Sequence, residues 1–439
     1  MFYTQKYNNK KIAIYGMGLT GLSAAKAFKK LNAQVYCWDD SFKIRKKVKK
    51  LKFSLNKFWL HKNLIDFIVL SPGIDINRCK IKNYLKKNLN KIITDLDLFF
   101  ELNKKSLIIS ITGTNGKSTT CKIIEKILKT AGYKVKTIGN IGNPTLSFSK
   151  PSKNIFILET SSYQLQYSKL FRSKHAAILN ISPDHLERHG NIKNYTKIKS
   201  RIFFSQKKTD FSYINKKNKY SKAIKKIFRK KKLRSKLISI DRAKYSFLLK
   251  KINNPYFKSE GNIENLSFAY EITKKLKINI KTITEALNKF RGLKHRQEII
   301  FSNKNLICIN DSKATSFDAC MQSLLNYNNI YWIVGGLPKA KDRFYLKNLK
   351  RKISKAYLVG NHISFFKKQI GNQIPYKISK NIKKAVNDIY YDLNLKKDSK
   401  NTILLSPAAA SFDQFNNFEE RGNYFKNLIT KKMKQKLNV

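Results

Sequence analysis

One short segment combines the residue types that bind and transfer a phosphate group. Residues 113–119 read Gly-Thr-Asn-Gly-Lys-Ser-Thr and lie between a strand-like run and a helix-like run. Main-chain N–H groups of such a loop surround phosphate, Lys117 neutralises the β/γ oxygens, and a hydroxyl of Ser118 or Thr119 binds Mg²⁺. The first glycine of the usual Walker pattern is replaced by Ile111, so the loop is a short variant. The predicted ATP-binding residues are Gly113, Thr114, Asn115, Gly116, Lys117, Ser118 and Thr119.

A second glycine-rich segment, residues 16–21, reads Gly-Met-Gly-Leu-Thr-Gly after a short apolar run. Its glycines allow a tight turn and close approach of a pyrophosphate to a helix N-terminus. Asp39 ends the next strand-like run, where a carboxylate can reach a ribose or a base. The pattern alone is typical of a dinucleotide dehydrogenase, but it also fits a turn that only packs a helix on a strand. We favour a nucleotide-like ligand whose identity the pattern leaves open.

Three acidic or histidine side chains follow strand ends near the phosphate loop. Glu159 ends the run 155–158, and Asp184 and His185 follow the run 176–179. Carboxyl ends of parallel strands meet at one sheet edge, so these groups could hold Mg²⁺ together with phosphate oxygens. A packed or exposed histidine is the default for His185 alone. Its place after a strand favours a functional role.

Small polar residues also follow two strands of the last third of the chain. Residues 310–315 read Asn-Asp-Ser-Lys-Ala-Thr, and residues 406–413 read Ser-Pro-Ala-Ala-Ala-Ser-Phe-Asp. Ligands of parallel α/β sheets bind at such strand ends. Turn formation and helix capping are serious alternatives for Ser312 and Ser411.

The elements that must position these groups alternate between strand-like and helix-like runs. Apolar runs at 12–15, 34–38 and 67–70 predict one parallel α/β unit, and runs at 107–111, 135–137, 155–158 and 176–179 predict a second. The Lys-rich stretch 207–255 fits no clear pattern and predicts strands and surface loops. Runs at 306–309, 331–334, 356–359 and 402–405 predict a third unit. We expect domains at 1–93, 94–291 and 292–439.

Composition limits the class of protein. The 439 residues include 91 Lys and Arg but only 27 Asp and Glu, a formal net charge of +64. Such a charge suggests nucleic acid or an acidic membrane as a partner. The lysines spread along the whole chain, however, and a binding arm would concentrate them, so we favour compositional drift. Five scattered cysteines and no long apolar run predict a reduced cytoplasmic protein without membrane insertion.

Together the motifs resemble those of the Mur ligases over nearly the whole chain. The resemblance rests on residues 18–21, 71–74, 113–119, 139–142, 159–165, 184–188, 295–298, 310–315 and 411–415. The phosphate loop and the Asp184–His185 pair mark the superfamily. Residues 71–74 (Ser-Pro-Gly-Ile), residues 295–298 and the last two motifs resemble the branch that adds D-glutamate. The fold implied is α/β in three domains, with a P-loop ATPase-type central domain between two Rossmann-like domains.

The resemblance implies an ATP-dependent ligase of cytoplasmic peptidoglycan precursor synthesis. ATP would phosphorylate the carboxylate of UDP-N-acetylmuramoyl-L-alanine, and the amine of D-glutamate would attack the acyl phosphate. Lys117, His185 and Lys199 would be catalytic, and Lys199 matches a family lysine that becomes a carbamate. The implied metal-binding residues are Ser118, Thr119, Glu159, His185 and Lys199.

The resemblance also implies the binding residues and the partners. For the UDP substrate they are Leu19, Thr20, Asp39, Gly73, Asn140 and Gln164. For ATP beyond the loop they are Asn262, Arg296 and Asp311. For D-glutamate they are Thr315, Lys339, Ser411 and Phe418. We expect ATP and Mg²⁺ as cofactors, a monomer, and no obligate nucleic acid.

The sequence departs from the family pattern in places. Gly261 stands where a histidine is usual, Ser316 where an asparagine is common, and Asp40 and Ser41 replace Thr-Arg after Asp39. The last change puts some uracil or phosphate contacts in doubt. Three alternatives stay open: a family member adding another amino acid or acting on folate, a nucleic-acid-binding protein with a degenerate ligase fold, and a dehydrogenase. A second phosphate loop has no role in the dehydrogenase.

Overall fold

A computed structural model gives the fold of most of the chain. It describes residues 5–60, 64–140, 143–147, 154–339, 342–344, 349–371, 373–394 and 400–437. Residues 141 and 142 of one motif named above lie outside these ranges. The chain divides into two compact units, one formed by Met1–Phe257 with Asn262–Phe290 and the other by Lys258–Gly261 with Arg291–Val439.

The first sheet follows the alternation of apolar runs and glycine turns that the sequence shows. Its four parallel strands lie in the order β2-β1-β3-β4. The strands are β1 (Lys11–Tyr15), β2 (Gln34–Trp38), β3 (Phe67–Leu70) and β4 (Ile92–Ile93). The helices are α1 (Leu19–Lys30), α2 (Phe42–Lys50), α3 (Lys82–Lys87) and α4 (Asp95–Leu102).

The central sheet contains six parallel strands in the order β10-β9-β8-β5-β7-β6. The strands are β5 (Ile108–Thr112), β6 (Val135–Gly139), β7 (Ile155–Glu159), β8 (His175–Ile178), β9 (Phe211–Asn215) and β10 (Lys236–Ile240). The helices are α5 (Lys117–Thr130), α6 (Ser162–Tyr167), α7 (Leu186–His189), α8 (Ile192–Ser200), α9 (Ser221–Lys230), α10 (Ser246–Lys251), α11 (Glu260–Lys275) and α12 (Ile280–Asn288). The three strands β5, β7 and β8 are buried along their whole length, as expected of inner strands of a sheet covered by helices on both faces, whereas the edge strand β6 is only partly buried.

The third sheet has the order β11-β12-β16-β13-β14-β15, and only the edge strand β11 is antiparallel among its described strands. The strands are β11 (Glu298–Ser302), β12 (Leu306–Asn310), β13 (Ile330–Gly335), β14 (Ile353–Val359), β15 (Tyr376–Lys380) and β16 (Asn401–Leu405). The helices are α13 (Phe317–Asn326), α14 (Ile363–Ile370), α15 (Ile382–Asn394) and α16 (Phe418–Leu437). The three mostly parallel sheets confirm the predicted fold class, whereas the domain boundaries at 93/94 and 291/292 stay a prediction.

The Lys-rich stretch 207–255 was the least readable part of the sequence. The structure forms β9, α9, β10 and α10 there, so the prediction of surface loops is wrong for the two helices. Helix α9 places Ile224, Ile227 and Phe228 on one face at helical spacing, with Ile224 buried and Phe228 packed against the core. Lysines on the other face conceal this pattern. Within the described residues, no helix has the length and apolar character to cross a membrane.

Candidate active site at the carboxyl ends of the strands

The predicted phosphate loop joins β5 to α5. Gly116 adopts a left-handed backbone conformation with φ of 81°, and a Cβ atom there would collide with the Asn265 side-chain oxygen. Both constraints require glycine at this position. Helix α5 begins at the next residue, so its free N–H groups and its positive dipole end face the loop. The loop therefore has the form of an anion-binding site.

Lys117 lies over the same loop. Its ammonium donates to the carbonyl oxygens of Gly113 at 2.9 Å and Thr114 at 2.7 Å. Asn180 closes the loop from the end of β8, because its side-chain oxygen accepts from the N–H of Asn115 at 2.9 Å. Sequence reasoning missed Asn180, although an asparagine directly after a predicted strand was a usable signal. The Lys117 ammonium and the main-chain amides of the loop therefore lie close together, around the position where a phosphate group would bind.

A carboxylate and a hydroxyl stand beside the loop. Glu159, at the end of β7, is 2% exposed, and its Oε2 accepts from the hydroxyl of Ser118 at 2.5 Å. Its Oε1 accepts from the side-chain amide of Asn140 at 2.9 Å. The sequence left Ser118 and Thr119 as equal choices, and of the two it is the hydroxyl of Ser118 that contacts Glu159. These hard oxygen donors suit Mg²⁺.

Lys199 on α8 is 1% exposed, and its side chain reaches the same loop. Its ammonium donates to the Gly113 carbonyl at 2.9 Å and lies 3.4 Å from the Thr112 hydroxyl. Burial, together with the charge of Lys117, holds the pKa of Lys199 well below its usual range. A neutral amine is the form that can act as a nucleophile. The position fits the role that the resemblance implied for this lysine.

Asp184 and His185 follow β8 at the same edge of the sheet. His185 has a left-handed backbone with φ of 53°, and its Nε2 lies 3.4 Å from Asp184 Oδ2. Its Nδ1 lies 2.9 Å from the hydroxyl of Tyr163. Tyr163 belongs to the motif 159–165, but no role was predicted for it from the sequence. Within the described ranges, no three His, Cys, Asp or Glu side chains form a metal-binding group on their own. A Mg²⁺ ion held by one or two protein groups and phosphate oxygens is compatible with this.

One cavity of about 330 Å³ collects the residues predicted to bind the UDP substrate. All six line it, although they come from both the first and the central sheet: Leu19, Thr20, Asp39, Gly73, Asn140 and Gln164. Tyr163 and Ser161 contribute to the same wall. The six residues predicted to bind the UDP substrate therefore line a single cavity.

Asp39 and Gln164 already have partners in the protein. The Asp39 carboxylate accepts from the N–H of Met17 at 2.7 Å and from that of Ser41 at 2.8 Å, so it holds the glycine turn in place. The side-chain oxygen of Gln164 caps α6, and its amide nitrogen donates to the buried Asp95 at 3.0 Å. Burial raises the pKa of Asp95. Both side chains shape the cavity as well as line it.

The remaining predicted ATP contacts divide between the two compact units. Asn262 lies in the first unit, is buried, and donates to the Tyr256 carbonyl at 2.8 Å. Arg296 and Asp311 lie in the second unit. Burial raises the pKa of Asp311 to about 6, and hydrogen bonds from Ser323 and Ser406 together with the charge of Arg296 oppose that shift.

The predicted D-glutamate residues lie on loops at the carboxyl edge of the third sheet. The loop after β13, which leads to Lys339, pairs with the loop after β16, which leads to Ser411, through the bridge between Leu337 and Ala410. Thr315 lies in the loop after β12, and the hydroxyl of Ser312 in that loop donates to the Phe418 carbonyl at 2.8 Å. Phe418 begins α16 and carries the Lys313 ammonium 3.7 Å above its ring. The structure thus places three loops and the first residue of α16 at one edge.

Comparisons with known proteins identify the family to which the chain is similar. Residues 10–93 match the family described as the Mur ligase MurD-like N-terminal domain, and residues 111–288 match the Mur ligase middle domain. The UDP-N-acetylmuramoylalanine--D-glutamate ligase of Rickettsia felis is 36% identical over 96% of this chain and 97% of its own. The protein of the same name from Rickettsia prowazekii is 36% identical over 95% of this chain and 97% of its own.

Solved structures share the fold at low sequence identity. A MurF ligase of Thermotoga maritima, crystallised with ADP, has a TM-score of 0.57 at 12% identity and covers 98% of this chain and 97% of its own. A pseudomurein peptide ligase type C of Methanothermus fervidus has a TM-score of 0.53 at 18% identity and covers 96% of this chain and 100% of its own.

Proposed function

The chain belongs to the Mur ligase family, and we propose that it joins D-glutamate to UDP-N-acetylmuramoyl-L-alanine and converts ATP to ADP and phosphate in the same reaction. One observation carries the proposal beyond the names of the relatives. Asn140 lines the cavity and also donates to Glu159, which accepts from Ser118 of the phosphate loop. The substrate cavity and the phosphate site therefore meet at one side chain.

The reaction needs the substrate carboxylate and the γ-phosphate of ATP in contact. The loop amides and Lys117 would hold the phosphates, and the cavity would hold the nucleotide end of the other substrate. The carboxylate then attacks phosphorus and ADP leaves, which forms an acyl phosphate. Such phosphoryl transfer depends on positioning and on neutralising charge, which a preorganised ammonium and oriented amides provide.

The second step forms the amide. The amine of D-glutamate attacks the carbonyl carbon of the acyl phosphate, loses a proton, and phosphate leaves. Lys339 and Thr315 would bind the side-chain carboxylate of D-glutamate, and Ser411 and Phe418 its α-carboxylate. Arg296, Asp311 and Asn262 would contact ATP. These assignments rest on the family resemblance, supported by the contacts among the loops after β12, β13 and β16 at one edge of the third sheet.

The residues at the phosphate site fit Mg²⁺. Ser118 and Glu159 would hold one ion and His185 a second, and the metal would neutralise charge on the transferred phosphate. Lys199 would react as a neutral amine with CO₂, forming a carbamate and releasing a proton. The carbamate would place a negative charge where the buried amine now lies. Burial of the amine and its depressed pKa support this step.

We also propose that the protein works as a monomer in the cytoplasm, where ATP and nucleotide-linked substrates are available. All five cysteines are free and four of them are buried, which suits a reducing compartment. The charge of +64 then needs no nucleic acid partner.

Phosphate release from ATP and Mg²⁺ tests the function directly. We expect release that requires both UDP-N-acetylmuramoyl-L-alanine and D-glutamate. Parallel reactions with L-alanine, L-lysine or diaminopimelate serve as controls for the acceptor. Release with one of these and none with D-glutamate would overturn the assigned acceptor while keeping the ligase. No release with any acceptor, from a folded chain that binds ATP, would overturn the ligase itself.

A further inference from the structure

The contact between Tyr163 and His185 is unassigned in the function described above. The Tyr163 hydroxyl lies 2.9 Å from Nδ1 of His185, and the two rings are 5.0 Å apart between centroids. Tyr163 is half-buried on α6 and also lines the substrate cavity. One side chain therefore contacts both the cavity and a proposed metal ligand.

The tyrosine ring is held in place by a neighbour. The guanidinium of Arg188 stacks 5.2 Å from the ring centroid, and its side chain is 8% exposed. Arg188 also donates to the carbonyl of Ile74 in the loop after β3 and to the Gln166 side chain at 3.2 Å. A ring fixed by a buried cation and by the cavity wall has little freedom to move its hydroxyl. The Tyr163 hydroxyl is thus preorganised to form a hydrogen bond with the His185 imidazole.

The surroundings of the imidazole differ at its two nitrogens. Nδ1 faces two oxygens, the Tyr163 hydroxyl at 2.9 Å and Glu187 Oε1 at 3.5 Å. Nε2 lies on the side of Asp184, 3.4 Å from Oδ2. A ligating histidine commonly donates its other ring N–H to an oxygen acceptor, which fixes the tautomer and the ring orientation. A proton on Nδ1 leaves the lone pair of Nε2 beside the Asp184 carboxylate oxygen. A cation can be bound by this nitrogen and this oxygen together.

We propose that Tyr163 is a positioning residue that accepts the Nδ1–H of His185 and so presents Nε2, together with Asp184, to a divalent cation. This rests on the proposed function, because His185 is assigned there as a ligand of Mg²⁺. Tyr163 does not itself react.

The substitution Tyr163→Phe tests the proposal, because it removes only the hydroxyl and keeps the cavity wall. Tyr167→Phe is the matched control: it lies one turn later on α6, is also half-buried, and does not line the cavity. We expect Tyr163→Phe to raise the Mg²⁺ concentration for half-maximal phosphate release by about 10-fold to 100-fold. The KM for the UDP substrate should change by less than about 2-fold, because the aromatic ring remains. Tyr167→Phe should match the wild type in both.

A second measurement needs no turnover. In the metal-free full chain, ¹⁵N spectra of the imidazoles resolve the tautomers of its six histidines, and His185→Gln assigns the signal. We expect the Nδ1–H form in the wild type and in Tyr167→Phe, and a mixture in Tyr163→Phe. A dominant Nε2–H form in the wild type, or the same spectrum in Tyr163→Phe, would overturn the proposal. A raised KM for the UDP substrate with an unchanged Mg²⁺ requirement would also overturn it. Because the spectra do not depend on activity, a failed ligase assay and failed positioning are told apart.

Discussion

Removing the Lys117 ammonium should stop turnover while leaving the fold intact. In the structure this ammonium lies over the phosphate loop, within hydrogen-bonding distance of two loop carbonyls. A phosphate oxygen bound in the same loop would stand about 3 Å from it. At that distance, and with an effective dielectric constant of about 20, the attraction between unit charges is roughly 5 kcal/mol. If about 4 kcal/mol of this acts in the transition state, Lys117→Ala lowers kcat/KM by roughly 10³-fold.

The cost to stability should be much smaller. Lys117→Ala leaves the Thr114 carbonyl oxygen without its ammonium, whereas the Gly113 carbonyl oxygen still accepts from Lys199. We expect the free energy of unfolding to fall by about 1 kcal/mol. Phosphate release measures activity, and urea denaturation followed by circular dichroism measures stability.

Lys122→Ala on the same helix is the matched control. Lys122 pairs with Glu125 on α5, a carboxylate that also pairs with Lys129, and loss of Lys122 changes the net charge by the same single unit. It should leave kcat/KM within about 2-fold of wild type, because surface ion pairs contribute little. Activity of Lys117→Ala within about 3-fold of wild type would refute the role of this ammonium. Equal losses in the two variants would show that net charge matters and position does not.

Three further outcomes follow from buried groups. Lys199→Ala should lose activity, and millimolar formate or acetate should restore part of it in the phosphate-release assay. If no small carboxylate restores activity, the proposal that Lys199 forms a carbamate is contradicted. Asp97→Ala should lower the free energy of unfolding, measured in urea, by about 3–5 kcal/mol. The reason is that the buried carboxylate accepts from the Ser168 hydroxyl and from three consecutive main-chain amides, 169–171. A loss below about 1 kcal/mol would show that these amides find other partners. The raised pKa of Asp311, about 6, means that the folded state holds this proton more tightly than the unfolded state, so stability should fall as pH rises from 4 to 6. Asp311→Asn should remove that part of the pH dependence, by at most roughly 3 kcal/mol, and parallel profiles of the two proteins would argue against it.

The sequence predicted the fold well where its patterns depend on burial. Strands β5, β7 and β16 are mostly apolar and buried along their whole length because helices cover both faces, and their predicted bounds lie within one or two residues of the observed ones. The two-residue strand β4, the antiparallel edge strand β11 and the edge strand β15 were missed. Their exposed or short segments carry little hydrophobic pattern, since burial on one side leaves the other free to vary.

The site was predictable where backbone geometry dictates residue type. Gly116 is required by its conformation, so the phosphate loop could be read directly. Lys199 could not be found among so many lysines without the family pattern, because burial is what distinguishes it and burial of one lysine leaves no local signal. The link between Tyr163 and His185 joins residues 22 positions apart, one on α6 and the other directly before α7, which no spacing rule predicts.

The basic stretch between β9 and β10 also affects how copies of this chain meet. Strand β10 is an edge of the central sheet, and an unpaired edge can template a strand from another molecule. Residues 211–240 contain twelve Lys and Arg and no Asp or Glu, and several of these charges precede β10 directly. Two copies approaching edge to edge would bring these charges together before their main chains could pair. The lysines of this segment therefore disfavour edge-to-edge pairing of two copies at β10.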